Sequence, residues 1–386
     1  METKIQNTFR TIDGFYQRYL DFLCKICSFE ARAFSKDILN QMVDVIADFA
    51  KKEGMQVTRY PMEKCADFLI IEINPGEPKT CLLQAHMDTV FEKGVFGEPP
   101  VKILPDRIIG PGVIDCKGGI SIALLCMKSL LDNGFPNHIR LILTSDEEIG
   151  NRLGGQAEKD FFVQQSAGFP CAINCEPAEN NEVVVARKGI LRCELKVKGK
   201  SGHAGKQYFT CHNAILEAAH KIIALQNKSV PGGTTYSCNI ISSNTTSLNI
   251  IPDLCTVSVD IRTVTMQDLE EAKRTVAEIA ATQFTPGTSC EAIFPSARPP
   301  MEKRQETLDL FEKLQSLCQK YELGTLAPFE SGGGSDSCYI QMAGVTSICG
   351  MGAVGARQHS PEEYLIPQSV ALRAKILVSY CWDSMQ

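Results

Sequence analysis

Cys81-Leu82-Leu83-Gln84-Ala85-His86-Met87-Asp88 is the stretch that decides how this chain folds. A short, mostly apolar run leads straight into a histidine and an acid, and the pattern returns twice. Ile139-Arg140-Leu141-Ile142-Leu143-Thr144 leads to Asp146, Glu147 and Glu148, and Cys171-Ala172-Ile173-Asn174-Cys175 leads to Glu176. Their lengths and flanking turns mark short buried strands of a mostly parallel sheet. Ligand sites in such sheets lie beyond the carboxyl ends of the strands. Three strands therefore deliver a histidine and several carboxylates to one rim.

Outward from these runs, strands alternate with helices from about residue 56 to 180, which predicts an α/β sheet covered on both faces. Residues 14–54 predict two helices. The second spans Lys36–Lys52, with Ile38, Leu39, Met42, Val45, Ile46 and Phe49 at helical spacing and Gly54 as a stop. Another helix follows Asp115, from about Gly118 to Asn133. Near residue 185 the texture changes. Residues 190–198 alternate strictly, as a strand with one wet face does. A helix at about 213–226, strands at about 235–242 and 254–262, a helix at about 266–283 and a strand at about 287–294 complete a ferredoxin-like order. Residues 185–297 thus read as a small α+β domain inserted into a discontinuous α/β domain, 1–184 and 298–386.

The bulk properties narrow the class. The chain has 386 residues, 44% of them hydrophobic, enough for two cored domains. A net charge of −6 and a pI near 5.7 argue against nucleic acid or an anionic membrane as partner. No apolar run approaches the roughly 18 residues of a membrane span, and Met1-Glu2-Thr3-Lys4-Ile5-Gln6-Asn7 lacks the apolar core of an export signal. The 17 cysteines are scattered through helix-like and strand-like segments, so they read as reduced thiols packed in cores, and the expected compartment is cytoplasmic. Cys24 and Cys27 form a C-x-x-C inside a helix with no second pair, which predicts packing rather than metal or redox chemistry.

Four segments carry the chemistry: His86-Met87-Asp88; Asp115 within the glycine-rich Gly110–Gly119; Asp146-Glu147-Glu148; and His359 within Gln358–Glu363. Each has a bland reading when taken singly. Asp115 could cap a helix, the three acids could form a solvated turn, and His359 could be a surface histidine. Together with Glu176 they are harder to dismiss, because like charges at a sheet rim are unfavourable without cations. Carboxylate oxygens with imidazole nitrogens, and no thiolate pair nearby, favour Zn²⁺, Co²⁺ or Mn²⁺. Two histidines and three acids suit two divalent metal ions about 3.5–4 Å apart that hold a hydrolytic water.

The ordered series His86-Met87-Asp88, Asp115-Cys116-Lys117-Gly118-Gly119, Asp146-Glu147-Glu148, Glu176-Pro177 and His359-Ser360-Pro361 resembles the M20 metallopeptidases, in particular their carboxypeptidase G2-like (glutamate carboxypeptidase and N-acyl amino acid deacylase) members. The resemblance covers nearly all of the chain after about residue 15. It implies two zinc ions in the first domain and an inserted lid domain that makes a homodimer. By the same likeness His86 binds one ion with Glu176 or Glu148, and His359 binds the other with the remaining glutamate. Asp115 bridges the two ions, and Asp88 orients His86. Glu147 is the implied general base, and the Asp115–Cys116 bond is expected to be cis. His203, in Ser201-Gly202-His203-Ala204, matches the lid histidine that helps stabilise the oxyanion from the neighbouring subunit.

On the substrate side the resemblance points to Arg262, whose guanidinium fork matches a carboxylate, to Asn249, and to Gly334 in Ser331-Gly332-Gly333-Gly334-Ser335-Asp336. Arg187 is a further candidate. Glutamate at position 176 goes with carboxypeptidases and deacylases of the family. The expected substrate is therefore a small peptide or N-acyl amino acid with a free carboxylate. An aminopeptidase or dipeptidase, or a non-catalytic binding protein that kept the fold, are the alternatives. Asn151 and the Ser337-Cys338 pair depart from the family's usual residues and leave specificity open.

Overall fold

The computed structural model describes residues 2–385. The chain divides into two compact units: Met1–Ala186 with Lys303–Glu330 and Ser335–Gln386, and Arg187–Glu302 with Ser331–Gly334.

The first unit opens with helices α1 (Glu2–Cys27) and α2 (Lys36–Lys52). The first begins well before residue 14, because Ile5, Phe9 and Ile12 extend the buried stripe that continues in Tyr19, Leu23 and Ile26. That stripe carries the helix through Gly14, a residue costing only about 1 kcal/mol in such a position. Strands β1 (Gln56–Tyr60), β2 (Phe68–Ile73) and β3 (Lys79–His86) follow, then α3 (Lys117–Asp132), β4 (His138–Thr144), α4 (Gly155–Ser166) and β5 (Cys171–Asn174).

The second unit contains β6 (Gly189–Lys198), α5 (Ala214–Gln226), β7 (Thr235–Ser243), β8 (Leu254–Thr263), α6 (Met266–Ala281) and β9 (Ser289–Arg298). The first unit then resumes with α7 (Gln305–Lys320), β10 (Thr346–Ile348) and α8 (Gln368–Asp383).

In the first unit's main sheet the strands lie in the order β1-β2-β4-β3-β5-β10. The pairs β4–β3, β3–β5 and β5–β10 are parallel, and the two outer pairs at the β1 end are antiparallel. This is a mixed, mostly parallel α/β sheet. Register matters most for function. His86 sits opposite Thr144, and Gln84 opposite Asn174. Two residues beyond Thr144 is Asp146, and two beyond Asn174 is Glu176, so the three strand ends discharge their acids side by side. Strand β3 is buried from Thr80 to His86, and α3 is buried nearly all round. Gly119 explains how α3 approaches so closely: a Cβ there would meet the Cys175 carbonyl oxygen at 2.0 Å.

In the second unit the sheet order is β7-β8-β6-β9 with every pair antiparallel, the strand order of a ferredoxin-like sheet. Leu191, Cys193, Leu195 and Val197 alternate inward and pack with Val257, Val259 and Ile261 against Ala218, Ala272 and Val276 of the two helices. Thr265 and Asp268 cap α6 reciprocally, which sets its start. Buried Lys221 pairs with Glu217 at 2.9 Å and donates to the carbonyls of Ile279, Ala280 and Thr282 at the end of α6. Glu217 in turn accepts the N–H groups of Phe284 and Thr285. One ion pair thus joins α5 to the exit of α6.

All 17 cysteines are free thiols, and Cys27 of the C-x-x-C is buried in the core. Among the described residues no helix is long and apolar enough to cross a membrane.

Candidate metal centre

His86 is the last residue of β3 and is buried at the sheet rim. Its Nε2 lies 3.0 Å from Asp115 Oδ1 and 3.7 Å from Glu176 Oε1. On the other side of the same carboxylate, Asp115 Oδ2 lies 3.5 Å from His359 Nε2, which in turn is 3.2 Å from Glu148 Oε2. The oxygens of one aspartate are therefore shared between two histidines, each attended by its own glutamate. The Asp115–Cys116 peptide bond is cis.

Asp88 organises the rim. The Nδ1 atom of His86 is 3.1 Å from the Asp88 carbonyl oxygen and 3.4 Å from its Oδ1. The Asp88 carboxylate accepts the backbone N–H of Glu147 at 3.2 Å and of Glu148 at 3.1 Å. Both glutamates belong to the one-turn helix Glu147–Ile149, and Glu147 is buried. Asp146 closes the turn behind them, its Oδ2 accepting the N–H of Leu153 and Gly154 at 3.0 and 2.9 Å. Asn151, in the left-handed region at φ 58, donates to Asp336 at 2.9 Å and anchors that turn from below.

The electrostatics fit a cation site. Burial opposes charging His86, but its hydrogen bonds to Asp115 and Asp88 outweigh burial and raise its pKa well above the usual value. Hydrogen bonds to Asp115 and Glu148 push His359 up to about 11. Burial, with the Asp115 charge added, pushes Glu148 up to about 8. Asp115 is held well below the carboxylate range: burial would raise it, and the two histidines prevail. These imidazoles and carboxylates lie close enough to share charge, and their unprotonated nitrogens and oxygens form a donor set for divalent ions. Oxygen and imidazole donors in this mixture suit zinc, cobalt or manganese. The Cys116 sulfur also lies near His86 and Glu176. Burial keeps that thiol far above its ordinary pKa, and it donates to the Cys175 carbonyl at 3.1 Å, so it is a poor ligand.

Two buried groups escaped the reading of the sequence. Glu363 Oε1 accepts the N–H of Ile114 at 2.9 Å and of Asp115 at 3.1 Å, tying the His359 loop to a segment 248 residues away. Burial and the Asp115 charge push Glu363 up to about 7. Lys117 is buried and donates to the carbonyls of Phe29 and Pro111, fixing the entry to α3. Neither has a local signal beyond its place next to a ligand motif.

The remaining candidates belong to the second unit. His203 is exposed there, its Nδ1 accepting the Gly205 N–H at 3.1 Å. It pairs with Ile250 across a short ladder, and the Asn249 carbonyl accepts the N–H of Ala204 at 2.9 Å, so His203 and Asn249 share one corner. The fork of Arg262 is already engaged: Nε and Nη2 donate to Asp260 at 2.7 and 3.3 Å, and Nη1 donates to the Gly332 carbonyl at 3.1 Å. Arg187 Nη1 donates to the Gly334 carbonyl at 3.2 Å, which places a second guanidinium on the same glycine loop.

Comparison with known proteins identifies the family. Residues 82–383 match the model of peptidase family M20/M25/M40. Carboxypeptidase G2 of Pseudomonas sp. (strain RS-16) is 27% identical over 341 residues, 85% of this chain and 81% of that protein. Succinyl-diaminopimelate desuccinylase of Orientia tsutsugamushi (strain Boryong) is 24% identical over 351 residues, 85% of this chain and 87% of the relative. The crystal structure of aminopeptidase PepT from Bacillus cereus superposes with a TM-score of 0.79 at 18% identity, over 96% of this chain and 99% of that one, a likeness of fold alone. With the family's model matched from the first ligand strand to the last helix, the chain belongs to peptidase family M20/M25/M40 and is a hydrolase of amide bonds.

Proposed function

We propose that this protein is a carboxypeptidase or deacylase that hydrolyses the amide bond next to a C-terminal amino acid with a free carboxylate. One observation carries the reading: Asp115 divides its oxygens between His86, beside Glu176, and His359, beside Glu148. In this reading His86, Asp115 and Glu176 hold one divalent ion, and Asp115, Glu148 and His359 the other, with zinc as the metal and cobalt or manganese able to replace it. When bound, the ions would supply Lewis-acid polarisation and lower the pKa of a coordinated water.

The protein's own groups do the rest. Glu147, its backbone fixed by Asp88, takes a proton from the attacking water and passes it to the leaving amine. Because the Nδ1 atom of His203 accepts a backbone N–H, its neutral ring carries the proton on Nε2, free to donate to the oxyanion. The glycine loop with Arg187 and Asn249 reads the substrate's carboxylate, and Arg262 joins them with the N–H groups that Asp260 and the Gly332 carbonyl leave over.

The reading includes a homodimer and cytoplasmic residence. Strand β7 is an edge of its sheet and exposes Ile240 at 64% and Ile241 at 51%, an apolar edge that a second copy would cover. The unpaired thiols suit a reducing compartment.

The test is amino-acid release from N-acyl amino acids and dipeptides by zinc-loaded and chelator-stripped protein, with N-blocked and C-amidated members included. Zinc-dependent cleavage of blocked substrates with a free carboxylate is the expected result. Cleavage restricted to substrates with a free amine would move the assignment to an aminopeptidase or dipeptidase.

A further inference from the structure

Beside the metal ligands the first unit holds a cavity of about 130 Å³. One wall begins at Pro177, the residue after Glu176, and another contains Gln358, the residue before His359. The cavity thus abuts a ligand segment from each half of the centre. Its apolar lining comes from Pro177, Val184 and the ring of Phe329, which is 42% exposed. Its charged groups are Glu179 and Glu182 alone. Neither carboxylate has an ion-pair or hydrogen-bond partner among the described residues.

The backbone around the cavity is tightly tied. Val184 exchanges two hydrogen bonds with Cys349, at 2.8 and 3.0 Å, and the Ala178 N–H reaches the Ala353 carbonyl at 3.1 Å. A turn in which the Glu182 N–H donates to the Glu179 carbonyl at 3.1 Å sets the two acids on one side, and the Asn181 carbonyl accepts the N–H of Ala327, joining the strand that carries Phe329. The space is therefore built before any ligand arrives. It has room for about four groups the size of a water molecule. Buried Arg373 donates to the Asn180 and Glu182 carbonyls at 3.5 Å but pairs with neither carboxylate. An apolar floor with two acids at its rim therefore suits a short alkyl chain ending in a cation, and a carboxylate there would meet two like charges at close range.

We propose that this cavity is a specificity subsite of the hydrolase described above, receiving a short aliphatic side chain with a cationic end and turning acidic side chains away. The inference rests on the amide-hydrolase reading of the metal centre and adds the substrate's side-chain class to it.

The experiment compares kcat/KM for N-blocked substrates carrying ornithine, norvaline or glutamate on either side of the scissile amide. Zinc-loaded wild type is set against the double variant Glu179→Gln/Glu182→Gln and the single variant Glu179→Gln. Wild type should prefer ornithine to norvaline by roughly tenfold at one of the two positions and use glutamate least. The double variant should bring ornithine and norvaline within about threefold of each other, the single variant should fall between, and norvaline turnover should stay within about twofold of wild type. An ornithine-to-norvaline ratio that is the same in all three proteins overturns the subsite. So does a loss that strikes norvaline as hard as ornithine. Absence of turnover by wild type on every substrate overturns the hydrolase reading itself, which separates the two failures.

Discussion

Asp88 Oδ1 accepts the backbone N–H of Glu147 at 3.2 Å, and through this bond the strand that ends in His86 is tied to the turn that carries Glu147 and Glu148. With its second oxygen on the Glu148 N–H, one buried carboxylate sets the backbone of two site residues and sits beside the ring of a third. Groups of this kind, one step removed from the ligands, typically contribute 10–100-fold to metal affinity or activity. Asp88→Ala should lower kcat/KM by about that factor and weaken metal binding in calorimetric titration. Unchanged affinity and turnover would show that the turn holds itself.

Glu147→Gln separates proton transfer from metal holding. The variant should bind two metal equivalents as tightly as wild type while kcat falls by roughly 10²–10⁴-fold. Turnover within a few-fold of wild type would remove Glu147 from the chemistry.

Glu363 should matter through geometry. Glu363→Ala leaves the N–H groups of Ile114 and Asp115 without their acceptor, at about 1–3 kcal/mol for each buried group. A lower Tm and weaker metal binding are expected, with most of both restored in Glu363→Gln, which keeps an acceptor oxygen. If Glu363→Ala melts and binds metal like wild type, the two loops are joined by something else.

In the second unit the buried Lys221–Glu217 pair gives a stability test. Lys221→Met strands a buried carboxylate and should cost about 3–5 kcal/mol in denaturant unfolding. Burial would raise the pKa of Glu217, but hydrogen bonds from Lys221, Thr285 and Phe284 prevail and lower it. Its contribution is thus present above the unfolded value of about 4.3 and disappears as pH falls through the lower folded value. The stability gap between wild type and Glu217→Gln should narrow on going from pH 6 to pH 3. A gap independent of pH would mean that the pair's charge is not what stabilises α5 against α6.

The apolar edge of β7 predicts an oligomer that one charge can break. Ile241→Lys should shift sedimentation from dimer to monomer without lowering the Tm of the fold, since Ile241 is 51% exposed. A wild-type protein that sediments as a monomer at micromolar concentration would refute the dimer.

Much of this protein was legible in its residues. The apolar runs ending at His86, Thr144 and Cys175 are local signals, because a buried strand must be apolar along its length and its polar exit stands out. They determined a mostly parallel sheet with acids along one rim. The alternation in 190–198 likewise disclosed a strand with one covered face. Helix periodicity placed the start of α1 only at about residue 14, and the packing of Ile5, Phe9 and Ile12 into the core carries it back to Glu2.

Tertiary structure alone decided what depends on distance through space. Pairing register set His86 opposite Thr144 and so brought Glu148 toward Asp115. The division of the Asp115 oxygens between His86 and His359 has no sequence signature, because those residues lie on separate segments whose approach is fixed by Glu363 and Asp88. The engagement of Arg262 with Asp260, two residues away across one strand face, was equally hidden. Residue type and periodicity are properties of the chain. Which of two ligands a carboxylate oxygen faces is a property of the packed rim, where backbone N–H groups far apart in sequence compete for the same few acceptors.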